Sequence, residues 1–156
     1  MKVFLIVLGL CISILSADAL RVGSKLSQLN NFKYETPNGR EMRISRTLSL
    51  LIVAFEKDTV ALVNEYLNTK NPFYLQRKGA IFIADIHEMP TVITNMFALP
   101  KIRKYKHLIY LHYNDKFNIV MPNKKEKITL LHVADGKIEN ISYISTKQEL
   151  KAIIEK

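Results

Sequence analysis

SLLIVAFEKDTVALVNEYLNTK, residues Ser49 to Lys70, sets a strand directly before a helix. The apolar run Leu50 to Phe55 is bounded by charge, is too short for a lone helix and carries Ile52, Val53 and Phe55. It reads as a strand buried on both faces. Glu56-Lys57-Asp58-Thr59 breaks the run. Val60, Leu62, Val63, Tyr66 and Leu67 then recur near helical spacing, with Asn64, Glu65 and Asn68 on the other side. Asp58 or Thr59 is the expected cap, since either side chain can accept a bond from a free N–H of the first turn. A buried strand feeding a helix through a tight polar turn starts an α/β sheet. Such sheets place chemistry beyond the carboxyl ends of their strands.

Upstream, Phe32 and Tyr34 alternate with Lys33 and Glu35, Thr36-Pro37-Asn38-Gly39 is turn chemistry, and Met42 and Ile44 flank Arg43. This reads as a β-hairpin. Downstream, Asn71-Pro72 stops the helix and Phe73 to Gly79 connects to a second buried strand, Ala80 to Ile86. Pro90 suits the first turn of a following helix. Its expected buried set is Val92, Ile93, Met96, Phe97 and Leu99, and Pro100 should kink or end it. Leu108 to Tyr113 reads as a third strand and Asn114 to Lys127 as a polar connection. Ile128 to Val133 and Lys137 to Ile144 are strands joined by Ala134-Asp135-Gly136, a strong hairpin signal. Ser145 to Glu149 offers capping boxes in two registers before a short amphipathic helix with Leu150, Ile153 and Ile154.

At the amino end, Lys2, the apolar run Val3 to Leu15 and the small residues Ser16-Ala17-Asp18-Ala19 have the form of a secretory leader, cleaved after Ala17 or Ala19. The apolar run falls short of the ~20 residues that span a bilayer, so the mature chain is expected to have no transmembrane segment. Cys11, preceded by Leu10, does not suit lipid attachment. The chain therefore divides into a leader, 1–19, and one domain, 20–156, without repeats or linkers. Cys11 is the one cysteine. The mature chain then has no thiol and no disulfide, and its stability rests on core burial.

The formal net charge is +9. Removing the leader takes away one lysine and leaves the mature chain basic, which favours anionic partners. Nucleic acid is not expected for an exported chain. The glycines sit in turns, without G-x-G-x-x-G, P-loop or G-x-S-x-G, so no flavin or nicotinamide dehydrogenase is indicated and no cofactor is expected.

The order hairpin, β, α, β, α, β, β-hairpin, α resembles the thioredoxin-like fold, in the form found in peroxiredoxins and exported thiol–disulfide proteins. The likeness rests on three places. Arg21-Val22-Gly23-Ser24-Lys25-Leu26, with Phe32-Lys33-Tyr34 and Pro37-Asn38-Gly39-Arg40-Glu41, is similar to that family's opening segment. Leu50 to Phe55 and its helix look like the central strand and active-site helix. Ile128 to Leu131, Asp135-Gly136-Lys137-Ile138 and the last helix look like the closing hairpin. The resemblance implies a three-layer α/β/α sandwich with an N-terminal hairpin and a mixed central sheet. The departures lie in the redox apparatus. With Phe55 on the family's strand-ending aromatic, the C-x-x-C pair falls on Val60 and Val63. The place of the family's cis-proline reads Glu126-Lys127-Ile128, with Pro122 nearest. The resemblance thus implies the fold without its dithiol chemistry.

Two candidate sites follow. Asp85, His87 and Glu88 end the second strand, Asp58 follows the first, and His112 and Asp115 end the third. If these strands are parallel neighbours, their polar groups share one rim, in residue types that suit metal ligation or acid–base work. No fixed ligand spacing accompanies them, so no metal is assigned. The second candidate is the basic–aromatic stretch KIRKYKHLIYLHY, in which Lys101, Arg103, Lys104 and Lys106 form a patch for an anionic surface. The loop Asn123-Lys124-Lys125-Glu126-Lys127 reads as solvated. The leading expectation is a periplasmic, non-redox protein that binds an envelope protein or an anionic envelope component. The alternative is a metal-binding or hydrolytic protein using the Asp85/His87/Glu88 rim.

Overall fold

A computed structural model describes residues 18–156; the leader assigned to 1–19 lies almost wholly outside the described residues. Strand β3 (Leu50–Ala54) forms the middle of a seven-stranded sheet and is buried along its whole length. The other strands are β1 (Tyr34–Glu35), β2 (Glu41–Met42), β4 (Ala80–Asp85), β5 (Tyr110–His112), β6 (Ile128–Ala134) and β7 (Lys137–Ile144), in the order β2-β1-β5-β4-β3-β6-β7. β3 runs parallel to β4, with Leu50 opposite Ala80, and antiparallel to β6, with Leu50 opposite His132. β5 extends the parallel set, and the β1–β2 hairpin closes that edge antiparallel to it.

The period-two alternation of β3 divides the core. Leu50, Ile52 and Ala54 face α1 (Lys57–Asn68) and α6 (Lys147–Ile154) through Val63, Tyr66, Leu67, Leu150 and Ile154. Leu51 and Val53 face the opposite layer of Leu26, Leu29, Tyr34, Phe117 and Met121. Each fully buried large apolar side chain of this kind contributes about 1.5–3 kcal/mol.

The sequence pattern holds for the hairpins, the central strands and the last helix. Asp135 and Gly136 take positive φ values of 51° and 70°, as a tight right-twisted hairpin requires. Of the two capping registers, Thr146 with Glu149 is used: the Thr146 hydroxyl accepts from the Glu149 N–H, and a Glu149 carboxylate oxygen accepts from the Thr146 N–H.

Four expectations are corrected. The cap of α1 is Glu56, not Asp58 or Thr59. Thr59 sits one turn inside, its hydroxyl accepting from the Glu56 N–H at 3.2 Å. The connection 73–79 carries a short helix, α2 (Tyr74–Arg77), anchored by buried Leu75. The polar connection 114–127 contains α5 (Lys116–Val120), because Phe117, Val120 and Met121 are buried at helical spacing. Finally, the helix after Pro90 is α3 (Thr91–Ile93), a widened turn at Thr94–Ala98 and α4 (Leu99–Ile102). Pro100 falls in the first turn of α4 instead of ending the segment. The widened turn gives its ring room and absorbs its missing N–H. The apolar set expected to be buried there is largely in solvent: Val92, Ile93, Met96 and Phe97 are exposed.

Candidate functional sites at the two ends of the sheet

The parallel register of β3, β4 and β5 gathers their carboxyl ends at one rim. Asp85 and His112 lie opposite each other on β4 and β5, and both are buried. Asp85 Oδ1 accepts from the His87 N–H at 3.1 Å and meets His87 Nδ1 at 3.0 Å. His87 Nε2 lies 3.2 Å from Asn118 Nδ2, which can only donate. The tautomer with its proton on Nδ1 matches these two contacts. Burial raises the Asp85 carboxyl above its usual range, and the bonds and charge of His87 oppose that. Asp85 Oδ2 and Asn118 Oδ1 are buried without a partner.

Both ring nitrogens of His112 face carbonyl oxygens, Nδ1 that of Lys33 at 2.9 Å and Nε2 that of Asn114 at 3.1 Å. A neutral imidazole donates to one of these two carbonyls, which fixes the ring between Lys33 and Asn114. Phe117 packs on this ring at 4.4 Å between centroids, with Tyr34 at 5.5 Å and Phe32 at 5.6 Å. Burial, then the Asp85 charge, drives the Tyr34 hydroxyl far above its ordinary range; it donates to the Leu29 carbonyl at 2.8 Å.

Of the expected rim, the structure brings together Asp85, His87 and His112. Glu88 is exposed and reaches His87 Nε2 only at 3.8 Å. Asp58 and Asp115 are exposed, and no hydrogen bond or ion pair joins either to the others. Among the described residues no three carboxylate, imidazole or thiol groups gather to hold a metal ion. No hydroxyl side chain is hydrogen-bonded to His87 there either. What the rim provides is an imidazole oriented by Asp85, covered by Asn118 and set beside the buried ring of His112.

At the loop entering β6, Glu126 has a φ of +59° and donates its N–H to Glu56 Oε1 at 2.8 Å. Glu56 starts α1, so its side chain ties the loop to the head of that helix. No peptide bond among the described residues is cis. Val60 packs against the core half-buried, and Val63 is fully buried.

The opposite end of the sheet is open. A cleft of about 470 Å³ lies between the turn Thr36–Arg40, the segment Pro72–Gln76 and the stretch Ile102–Ile109. Its charged lining is Arg40, Arg103 and Lys106. Arg103 Nε donates to the Pro37 carbonyl at 2.9 Å, fixing the stretch to the hairpin turn. His107 stacks on Tyr105 with centroids 5.2 Å apart and holds Asn64 Oδ1 at 2.8 Å. Its burial depresses the imidazole pKa to about 4, so His107 is neutral at ordinary pH and donates that bond. The expected basic patch therefore divides. Arg103 and Lys106 line the cleft, whereas Lys101 and Lys104 are exposed outside it.

Comparison with solved structures agrees with this topology. A peroxiredoxin Q mutant from Xylella fastidiosa superposes with a TM-score of 0.56 at 9% identity, covering 88% of this chain and 95% of that one. A SCO1/SenC family lipoprotein from Bacillus anthracis gives 0.52 at 8% identity, over 89% and 94%. An uncharacterized thioredoxin-like protein from Porphyromonas gingivalis gives 0.51 at 13%, over 85% and 92%. The chain has a thioredoxin-like fold. No family model matches the sequence, and no curated protein matches it.

Within the thioredoxin-like fold, residues 12–156 contain no cysteine, so this domain has no thiol to oxidise. Sequence reasoning missed Asn118 as the cover of His87, Glu56 as the clip on the β6 loop, and Arg40 as a cleft cation. Arg40 had a signal: it follows the hairpin turn Pro37-Asn38-Gly39. Nothing in the sequence brings that turn to residues 102–109.

Proposed function

We propose that this chain is an exported, non-redox thioredoxin-like protein that binds an anionic envelope component through the cleft at the amino ends of its parallel strands. One observation carries the reading: three cations, Arg40, Arg103 and Lys106, line that cleft with no carboxylate among its walls. Tyr105 and Phe73 supply apolar and aromatic surface beside them. An acidic segment of an envelope protein would satisfy the same lining. The leader-like segment 1–19 supports export, with the periplasm as the compartment; the lipoprotein among the structural neighbours is compatible with this. Thiol redox chemistry has no place in residues 12–156, which contain no cysteine.

The test uses short-chain polyphosphate as the probe in isothermal titration calorimetry. Binding is expected, weakening as salt is raised. Arg40→Ala and Lys106→Ala should each cost roughly tenfold or more in affinity, since bonds to charged groups contribute ~1.5–3 kcal/mol. Equal affinity in the double variant would refute the cleft as the site. Disulfide reduction or peroxide consumption by the purified protein would refute the non-redox assignment.

A second reading rests on the Asp85–His87 pair, because a carboxylate that fixes the tautomer of an imidazole is the positioning half of an acid–base site. His87→Ala distinguishes the two. It leaves polyphosphate affinity intact under the first reading and abolishes hydrolysis of activated esters under the second.

A further inference from the structure

The segment from Asp85 to Leu108 leaves the rim at the end of β4 and crosses back to the amino end of β5. Along it, Val92, Ile93, Met96 and Phe97 are 64%, 44%, 64% and 63% exposed. The four lie within six consecutive residues of α3 and the widened turn, all with their side chains in solvent, and so make one exposed apolar ridge. Thr94 turns inward, its hydroxyl donating to the Pro90 carbonyl at 3.1 Å, and Ile102 is buried. The segment is thus seated on the core by its other flank. Lys101 follows in α4 and Lys104 lies just beyond its end. Both lysines are exposed, outside the cleft, and without an ion-pair partner among the described residues.

Two observations indicate what covers this ridge. Exposed apolar side chains are followed by exposed ammonium groups, the composition of a segment that lies in the interface plane between acyl chains and phosphates. From Met89 to Asn114 the sequence has no Asp or Glu, so the exposed Glu88 is the one acidic group in solvent along the segment, against Lys101 and Lys104. No helix among the described residues is long and apolar enough to cross a membrane, so the contact is peripheral. We propose that the ridge Val92–Phe97, with Lys101 and Lys104, docks on an anionic phospholipid bilayer. Val92, Ile93, Met96 and Phe97 enter the interfacial zone, and the two lysines reach the phosphates along their aliphatic stems. This surface is separate from the cleft and does not depend on it.

The experiment is flotation of the chain starting at Asp18, which holds the whole sheet and both cores, with two kinds of vesicle. One is equimolar phosphatidylglycerol and phosphatidylcholine; the other is phosphatidylcholine alone. Binding to the anionic vesicles is expected, with much less to the neutral ones. Lys101→Glu and Lys104→Glu should each weaken it about fivefold or more, and joint Met96→Ser and Phe97→Ser should abolish it. Because these residues are in solvent, the variants should melt with the wild type; Phe97→Asp is a second test should the serine pair fold poorly. Absence of vesicle binding, or equal binding by all variants, overturns the proposal. So does a dimer in sedimentation velocity that Phe97→Asp disperses without any vesicle contact, which would assign the ridge to a second copy. Loss of vesicle binding in Arg40→Ala and Lys106→Ala alone would assign the lipid headgroup to the cleft and also overturn it.

Discussion

The two ends of the parallel strands differ in what fills them. At the carboxyl end, where α/β sheets usually hold their chemistry, Asp85, His87, His112 and Asn118 bond one another or the backbone, under a lid of aromatic rings. At the amino end, a cationic cleft stands open between three chain segments. Packing has taken over the end that the fold reserves for catalysis, and charge has collected at the other. Residues 12–156 contain no cysteine, so the closed end holds no thiol.

The comparison is broken most directly at the closed end. Phe117 is fully buried and lies against the rings of Phe32, Tyr34, Phe55 and His112, at centroid distances of 4.4 to 6.1 Å. Phe117→Ala removes a ring from that cluster and opens a cavity beside the buried His112 ring. A loss of about 3–5 kcal/mol is expected in urea unfolding. A loss under ~1 kcal/mol, with ordered water in the vacated space, would mean that the rim is an open pocket like the cleft.

The second effect belongs to the open end and depends on pH. The unfolded chain takes up a proton at His107 near the ordinary value of 6.5, whereas the folded chain does so only near 4. A depressed folded pKa gives stability that is complete above 6.5 and is lost as pH falls toward 4. The loss amounts to about 3 kcal/mol across that window. His107→Gln can still donate to Asn64 but cannot titrate. Its stability should fall less between pH 7 and pH 4.5 than that of the wild type, as read from urea midpoints. Parallel curves for the two proteins would show that His107 is hydrated, and that the cleft floor is wet.

The fold was legible wherever local chemistry agrees with tertiary context. Leu50 to Ala54 could be read as doubly buried because it has no polar side. Asp135-Gly136 could be read as a turn because only such residues take positive φ cheaply. The helix at 91–102 shows the limit. Periodicity correctly placed Val92, Ile93, Met96 and Phe97 on one face. It does not say which way that face points, and the ridge points to solvent. At 114–127 the lysines masked Phe117, Val120 and Met121, whose spacing was the one local sign of α5. The rim was half legible: the strand ends place Asp85 beside His112, but Asp58 and Glu88 depend on loop geometry. The cleft was legible only as a basic run, since its third wall comes from a hairpin turn more than sixty residues away in the chain.

The smallest effect tests what keeps the closed end closed. Glu56 is the start of α1, and its carboxylate accepts the N–H of Glu126, a non-glycine residue held at positive φ. That backbone conformation costs roughly 1–2 kcal/mol on its own, and a charge-assisted bond of ordinary strength offsets it. Glu56→Ala removes the acceptor but leaves Thr59 in the first turn, so helix α1 itself should persist. The expected cost is about 1 kcal/mol. Hydrogen exchange should quicken at Glu126 and Lys127, while β3 and β4 stay protected. If exchange at the β6 loop is unchanged, the loop holds its conformation without the clip. The closure of this end would then rest on Phe117 and its ring neighbours alone. If exchange quickens at His87 as well, the clip and the rim form one unit, and loosening the loop also loosens the oriented imidazole.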